Sequence, residues 1–104
     1  FILHTTEYTQ DDTIRIDGRF SITGTVDALR AIAAGSGPEK MLFILGYAGW
    51  GAGQLDEEIH NNAWLVADAD PDLVFAHPHE EKWERAVRNI GIDPAMLSPS
   101  AGHA

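Results

Sequence analysis

The chain has 104 residues, 44% hydrophobic and 22% charged, and no cysteine, which suits a soluble globular domain and excludes disulfides, thiol catalysis and thiolate metal sites. Its net charge is −9, from 7 basic and 16 acidic residues. No Lys or Arg lies between Met41 and Glu81, where eight acidic residues stand, and this excludes nucleic acid or an anionic membrane surface as a direct partner, since both need clustered basic side chains.

The chain opens on Phe1, inside an apolar run, and this predicts an upstream segment that the sequence lacks. "FILHTT" and "TIRID" read as strands around the polar turn "EYTQDD", and "RFSIT" as a further strand. Thr25 is the expected N-cap of a helix with Asp27 in its first turn and Val26, Leu29, Ile32 and Ala33 along one face. Gly35 and Gly37 stop that helix, and Pro38 follows. "KMLFILGY" is continuously apolar, the pattern of a central strand covered on both faces.

Four glycines come next, Gly46, Gly49, Gly51 and Gly53, and then "QLDEEIHNN" reads as a short helix with Leu55, Ile59 and Asn62 or Ala63 inward. "AWLVAD" and "DLVFA" are strand candidates on either side of an Asp-Pro-Asp turn. His77 or Pro78 begins a last helix, where Trp83, Ala86, Val87 and Ile90 fall on one face. Glu80 and Glu81 early and Arg88 late suit its dipole, Gly91 closes it, and "DPAML" makes one more turn before a polar tail. The order implies an α/β protein of mixed α+β type: a mixed β-sheet with helices packed on its faces, one compact domain over residues 1–104. No apolar run approaches the roughly 20 residues of a membrane helix, and no secretion signal is present, so a cytoplasmic location is expected.

A strand, a glycine loop and a helix is how many phosphate sites begin. Here the spacing Gly46-x-x-Gly49-x-Gly51-x-Gly53 does not fit the dinucleotide fingerprint, and Gly53-Gln54-Leu55 replaces the Gly-Lys-Ser/Thr of a P-loop. Asp56, Glu57 and Glu58 are expected in the first helical turn, where they satisfy the dipole and repel an anion. Tyr47, Trp50 and Trp64 flank the loop, so the glycines either make packing room for rings or form a site for something other than phosphate.

His77-x-His79 beside Glu80 and Glu81 has ligand-type side chains, but Pro78 separates the imidazoles and no H-E-x-x-H spacing exists; solvated residues are expected there, as for His60 and His103, and no metal. Ser98 and Ser100 lie in the tail with His103, without a nucleophile elbow. Paired acids such as Asp11-Asp12 and Glu57-Glu58 are expected as solubility charges. No catalytic residue and no cofactor is predicted.

"LGYAGWGAGQLDEEIHNNAWLV", preceded by "FILHTTEY" and "TGTVDALRAIAAGSGPEKMLFILGYAGW" and followed by "DLVFAHPHEEKWERAVRNIGIDPAML", closely resembles the YqgE/AlgH family of bacterial proteins. The likeness runs along essentially the whole chain. It implies a compact α/β fold, a bacterial cytoplasmic setting, and members that are longer at the N-terminus. It implies no accepted active site: members are regarded as uncharacterised or as transcriptional regulators, linked by name to control of alginate production. With so acidic a chain, regulation would mean protein contact, with a basic or hydrophobic partner docking near Trp50 and Asp56–Glu58. The positions that match the family block and are expected to carry binding are Gly46, Tyr47, Gly49, Trp50, Gly51, Gly53, Gln54, Glu58 and Trp64, with Leu55 beside them. The alternative is a small-molecule-binding protein or an enzyme that uses the Gly46–Gly53 loop as its pocket.

Overall fold

A computed structural model describes residues 1–24, 26–76 and 78–97. The chain forms two compact units, Phe1–Tyr47 and Ala48–Ala104, each with its own elements.

The first unit is a four-stranded sheet and one helix. β1 (Ile2–His4), β2 (Ile14–Arg15), β3 (Ser21–Thr23) and β4 (Met41–Phe43) lie in the order β2-β3-β1-β4, and every pairing is antiparallel. "FILHTT" and "TIRID" are therefore strands but not partners, since β3 inserts between them. The tight hairpin is instead β2 to β3, where the Asp17 carboxylate accepts from the backbone N–H groups of Arg19 and Phe20. Those backbone bonds, the one from Arg19 foremost, hold the Asp17 carboxyl below its ordinary value.

β1 is central, and its alternation decides the core. Ile2 and His4 are buried on one face, opposite Thr23 and Ser21 of β3, which are buried too. The register places Met41 and Phe43 of β4 on this same face. Leu3, Ile22, Leu42 and Ile14 form a cross-strand row on the other. The helix α1 (Val26–Ala33) connects β3 to β4. Two recesses bounded by α1 and β4, one with Ile32 and Met41 and one with Leu29 and Phe43, place it over the Ile2 face.

Two expectations change here. The expected inward residues Val26 and Leu29 are exposed, and Ala28 is the buried residue of α1. The small side chain sits at the closest approach, and the larger ones flank an open recess. "KMLFILGY" is not a central strand: β4 is an edge, three residues long and incompletely covered. Thr25, the expected cap of α1, lies outside the described residues.

The second unit is helical. α2 (Gln54–His60) follows the glycine loop, α3 (Pro71–Val74) follows an irregular stretch, and a 3-10 turn at His79–Glu81 leads into α4 (Lys82–Asn89). Neither "AWLVAD" nor "DLVFA" is a strand. "AWLVAD" has no ladder to join and stays irregular and exposed. "DLVFA" is α3, because Asp70 caps it by accepting from the Asp72 N–H and Pro71 holds the first helical position. Asp-Pro-Asp is a helix start here, not a turn between strands.

Leu73 and Phe75 from the α3 segment and Val87 from α4 are the buried apolar residues of this unit among the described residues. Trp83, Ala86 and Ile90 flank Val87 half-buried, as the spacing predicts. The Lys82 ammonium donates to the Val74 carbonyl at 2.5 Å, tying α4 to α3, and desolvation there lowers its pKa. Gly91, with φ +84, ends α4 in the left-handed conformation, and a 3-10 turn at Pro94–Met96 follows, capped by Asp93. No helix among the described residues is long and apolar enough to cross a membrane.

Candidate functional site

The singled-out residues divide between the two units. Gly46 and Tyr47 close the first, in an irregular exposed stretch, and a Cβ on Gly46 would meet nothing within 4 Å. Gly49, Trp50, Gly51, Gly53, Gln54, Glu58 and Trp64 belong to the second, and there the structure draws five of them into one cluster.

Glu58 is its centre. Gln54 and Glu58 are four residues apart, so α2 puts them one turn above the other on a single face. The Gln54 side-chain amide donates to Glu58 Oε2 at 2.9 Å. The chain beyond α2 then folds back, with Asn62 at φ 62, and the Trp64 indole N–H donates to Glu58 Oε1 at 2.9 Å. Trp50 stands edge-on to Trp64, ring centroids 5.8 Å apart. On the other side of Gln54, its Oε1 accepts from the Gly51 N–H at 2.9 Å, and its backbone N–H donates to the Gly51 carbonyl at 3.0 Å.

These contacts set the electrostatics. The Trp64 and then the Gln54 hydrogen bonds favour the ionised carboxylate and hold the Glu58 pKa below its ordinary 4.5. Both oxygens of Glu58 and both polar atoms of Gln54 are occupied by groups of the same loop. Asp56 and Glu57 lie in the first turn of α2, as expected; Glu58 lies one residue beyond it and faces the loop. The apolar expectation fails in part: α2 has no buried residue, with Leu55 half-buried and Ile59 exposed. Its polar face is the one that packs, through hydrogen bonds.

Gly53 explains part of the glycine content. It stands at the N-cap of α2 with φ 75 and ψ −5 and offers no side-chain cap. An L side chain there costs about 1–2 kcal/mol from steric conflict alone. Gly53→Ala should therefore lower the unfolding free energy by about 1–2 kcal/mol in urea denaturation. Gly46→Ala should stay within roughly 0.5 kcal/mol, because that position is open. At Gly51 a Cβ would lie 3.6 Å from Gln54 Oε1, an ordinary contact.

Among the described residues no three His, Asp or Glu groups converge as a metal site would require. His79 opens the 3-10 turn before α4 and His60 sits exposed near the end of α2. His77, Ser98, Ser100 and His103 lie outside the described residues. Asp11 and Asp12 line an open recess with Gln10 and Asp27, and Asp12 accepts from the Gly24 N–H.

One group was not anticipated. His4 is 0% exposed, with Nδ1 2.7 Å from the Thr5 carbonyl and Nε2 2.7 Å from Thr23 Oγ1. A carbonyl only accepts, so Nδ1 carries a proton and donates to it, and Nε2 shares a hydrogen bond with the Thr23 hydroxyl. Thr13 Oγ1 lies 2.7 Å from Thr23 Oγ1 and takes the Gln10 backbone N–H at 2.8 Å. Gln10, Thr13, Thr23, His4 and Thr5 are thus joined in one hydrogen-bonded chain, with the Gln10 N–H donating at one end and the Thr5 carbonyl accepting at the other. Tyr8 packs against the imidazole edge-on at 5.5 Å. The signal available was parity: His4 and Thr23 occupy inward positions in β1 and β3.

Residues 1–95 match the sequence profile of a family described as AlgH-like, DUF179. A UPF0301 protein of Jannaschia sp. (strain CCS1) is 56% identical over 106 residues, covering 100% of this chain and 55% of the relative. A UPF0301 protein of Rhodospirillum rubrum is 49% identical over 104 residues, covering 100% and 54%. The solution structure of the AlgH protein from Pseudomonas aeruginosa aligns with a TM-score of 0.75 at 44% identity, over 99% of this chain and 54% of that one. The chain spans about half the length of the curated relatives it matches. By profile, sequence and fold alike, it belongs to the AlgH-like family.

Proposed function

We propose that this chain is a non-catalytic interaction module that works in the cytoplasm, in regulation exerted through protein contacts. The observation that carries the reading is the closed hydrogen-bonding of the glycine block. Gly51, Gln54, Glu58 and Trp64 satisfy one another, so the loop's polar groups serve its shape, not a reacting substrate. What it offers outward is a pair of indoles, Trp50 40% and Trp64 39% exposed, and the same helix carries the exposed acids Asp56 and Glu57. That surface suits a basic or apolar protein partner, in which a cationic side chain could lie over an indole face and near a carboxylate.

Asp56→Lys combined with Glu57→Lys reverses the charge and leaves the Glu58 network intact. The expected result is that a protein retained from lysate by the immobilised wild-type chain is lost on the double variant and on Trp50→Ala. Identical capture by all three would overturn the docking face. The small-molecule reading has its own check: nucleotides, metabolites and divalent ions should leave the melting temperature unchanged, and a saturable rise with any of them would replace the proposal.

A further inference from the structure

Glu58 is satisfied in hydrogen bonding but not in charge. The groups that hold its carboxylate, the Trp64 indole and the Gln54 amide, are neutral donors. The carboxylates of Asp17, Asp27 and Glu84 each lie within ion-pair reach of an arginine of their own chain. Among the described residues Glu58 has no such cation, and no Lys or Arg occurs from Met41 to Glu81. An ionised carboxylate has about four acceptor sites, and the two bonds take one on each oxygen. The group is therefore fixed in place, charged and still able to accept, on a half-buried side chain.

The indoles carry the same preference. Trp64 donates to Glu58, and Trp50 stands edge-on to Trp64. An edge-on contact covers one face of one ring, and both tryptophans keep about two-fifths of their surface open. The face of an indole is negative and attracts cations more strongly than that of any other side chain. A guanidinium suits both halves of this arrangement. It is planar, weakly hydrated and carries five N–H donors, whereas the lysine ammonium is a compact, strongly hydrated charge. Free arginine brings a carboxylate of its own, which the eight acids between Met41 and Glu81 repel. An arginine within a polypeptide does not.

Taking the docking face described above as the partner surface, we propose that Glu58, Trp50 and Trp64 form a receptor for one arginine side chain of the partner protein: the guanidinium stacks on an indole and donates to the carboxylate. The probe is a capped Gly-Gly-Arg-Gly-Gly peptide, titrated into the 104-residue chain while the tryptophan indole N–H resonances are followed by NMR. Both the Trp50 and the Trp64 signals should shift saturably, and the peptide with neutral citrulline in place of arginine should shift neither. Trp50→Leu should weaken the arginine peptide by about two- to fivefold, with Trp64 indole exchange as in the wild type, the sign of an intact loop. Asp56→Asn combined with Glu57→Gln should change the affinity by less than about threefold. Equal shifts with the citrulline peptide would overturn the proposal, as would tighter binding of free arginine than of the peptide. Loss of binding in the Asp56/Glu57 variant would also overturn it, by assigning the charge to those acids. If the arginine peptide shifts no indole while capture from lysate still depends on Trp50, the arginine receptor falls and the docking face stands.

Discussion

Replacing His4 by leucine is expected to destabilise the chain by about 2–4 kcal/mol, measured by urea denaturation, because it orphans the Thr23 hydroxyl and the Thr5 carbonyl at about 1–3 kcal/mol each. His4 has no exposed surface and Thr23 only 1%, so water does not replace the lost partner at the hydroxyl. Thr23→Val, of similar shape, leaves His4 Nε2 and the Thr13 hydroxyl without each other's bridge and should cost about 1–3 kcal/mol. The informative variant is the double one. With both polar partners removed, fewer groups remain unsatisfied, so the two costs should fall short of their sum by about 1 kcal/mol or more. Simple additivity would mean that the His4–Thr23 contact contributes nothing of its own.

The second large effect is expected at Glu58. Glu58→Gln preserves size and swaps one acceptor oxygen for an N–H donor. Either the Gln54 amide or the Trp64 indole must then face a donor, since both are donors themselves. The Gly51 amide, held through Gln54 Oε1, should exchange several-fold faster, and the tryptophan emission should shift to the red as Trp64 loses its hold. Glu57→Gln, on the exposed flank of α2, should do neither. Equal behaviour of the two variants would mean that the loop is not organised by the Glu58 carboxylate.

How much of this was legible before the fold was known differs by element. β1, β3, α1 and α4 carry their own signals: alternation, a charged first turn, and Gly91 at the end of α4. "DLVFA" misled because four of its residues are apolar or β-prone, while the Asp70-Pro71 pair that caps α3 was legible and outweighs them. "KMLFILGY" misled for a different reason. Continuous apolarity does not distinguish a strand covered on both faces from an edge strand with exposed apolar side chains, such as Phe43. In α1, likewise, Val26 and Leu29 form an apolar stripe yet are exposed, lining an open recess with Phe43 and Leu45.

The candidate site was half legible. The block from Gly46 to Trp64 announced itself by composition, and Gln54 and Glu58 by their helical spacing. That Trp64 returns to Glu58 depends on the backbone reversal at Asn62, a left-handed residue that no periodicity predicts. The His4 chain was less legible still. Thr13 and Thr23 stand nine and nineteen residues from His4, and only the order β2-β3-β1 brings the three side chains to one face.

The central claim is that the glycine block is a loop closed around an ionised Glu58. A depressed carboxyl pKa stabilises the folded loop fully above the ordinary 4.5 and loses that contribution as pH falls through the lower folded value. The most direct measurement follows the Trp64 indole N–H resonance and the Gln54 side-chain amide by NMR from neutral pH to about pH 2. Both signals should move together with one midpoint below 4.5, and neither should move in Glu58→Gln. A midpoint at or above 4.5, or an indole signal indifferent to pH, would contradict it.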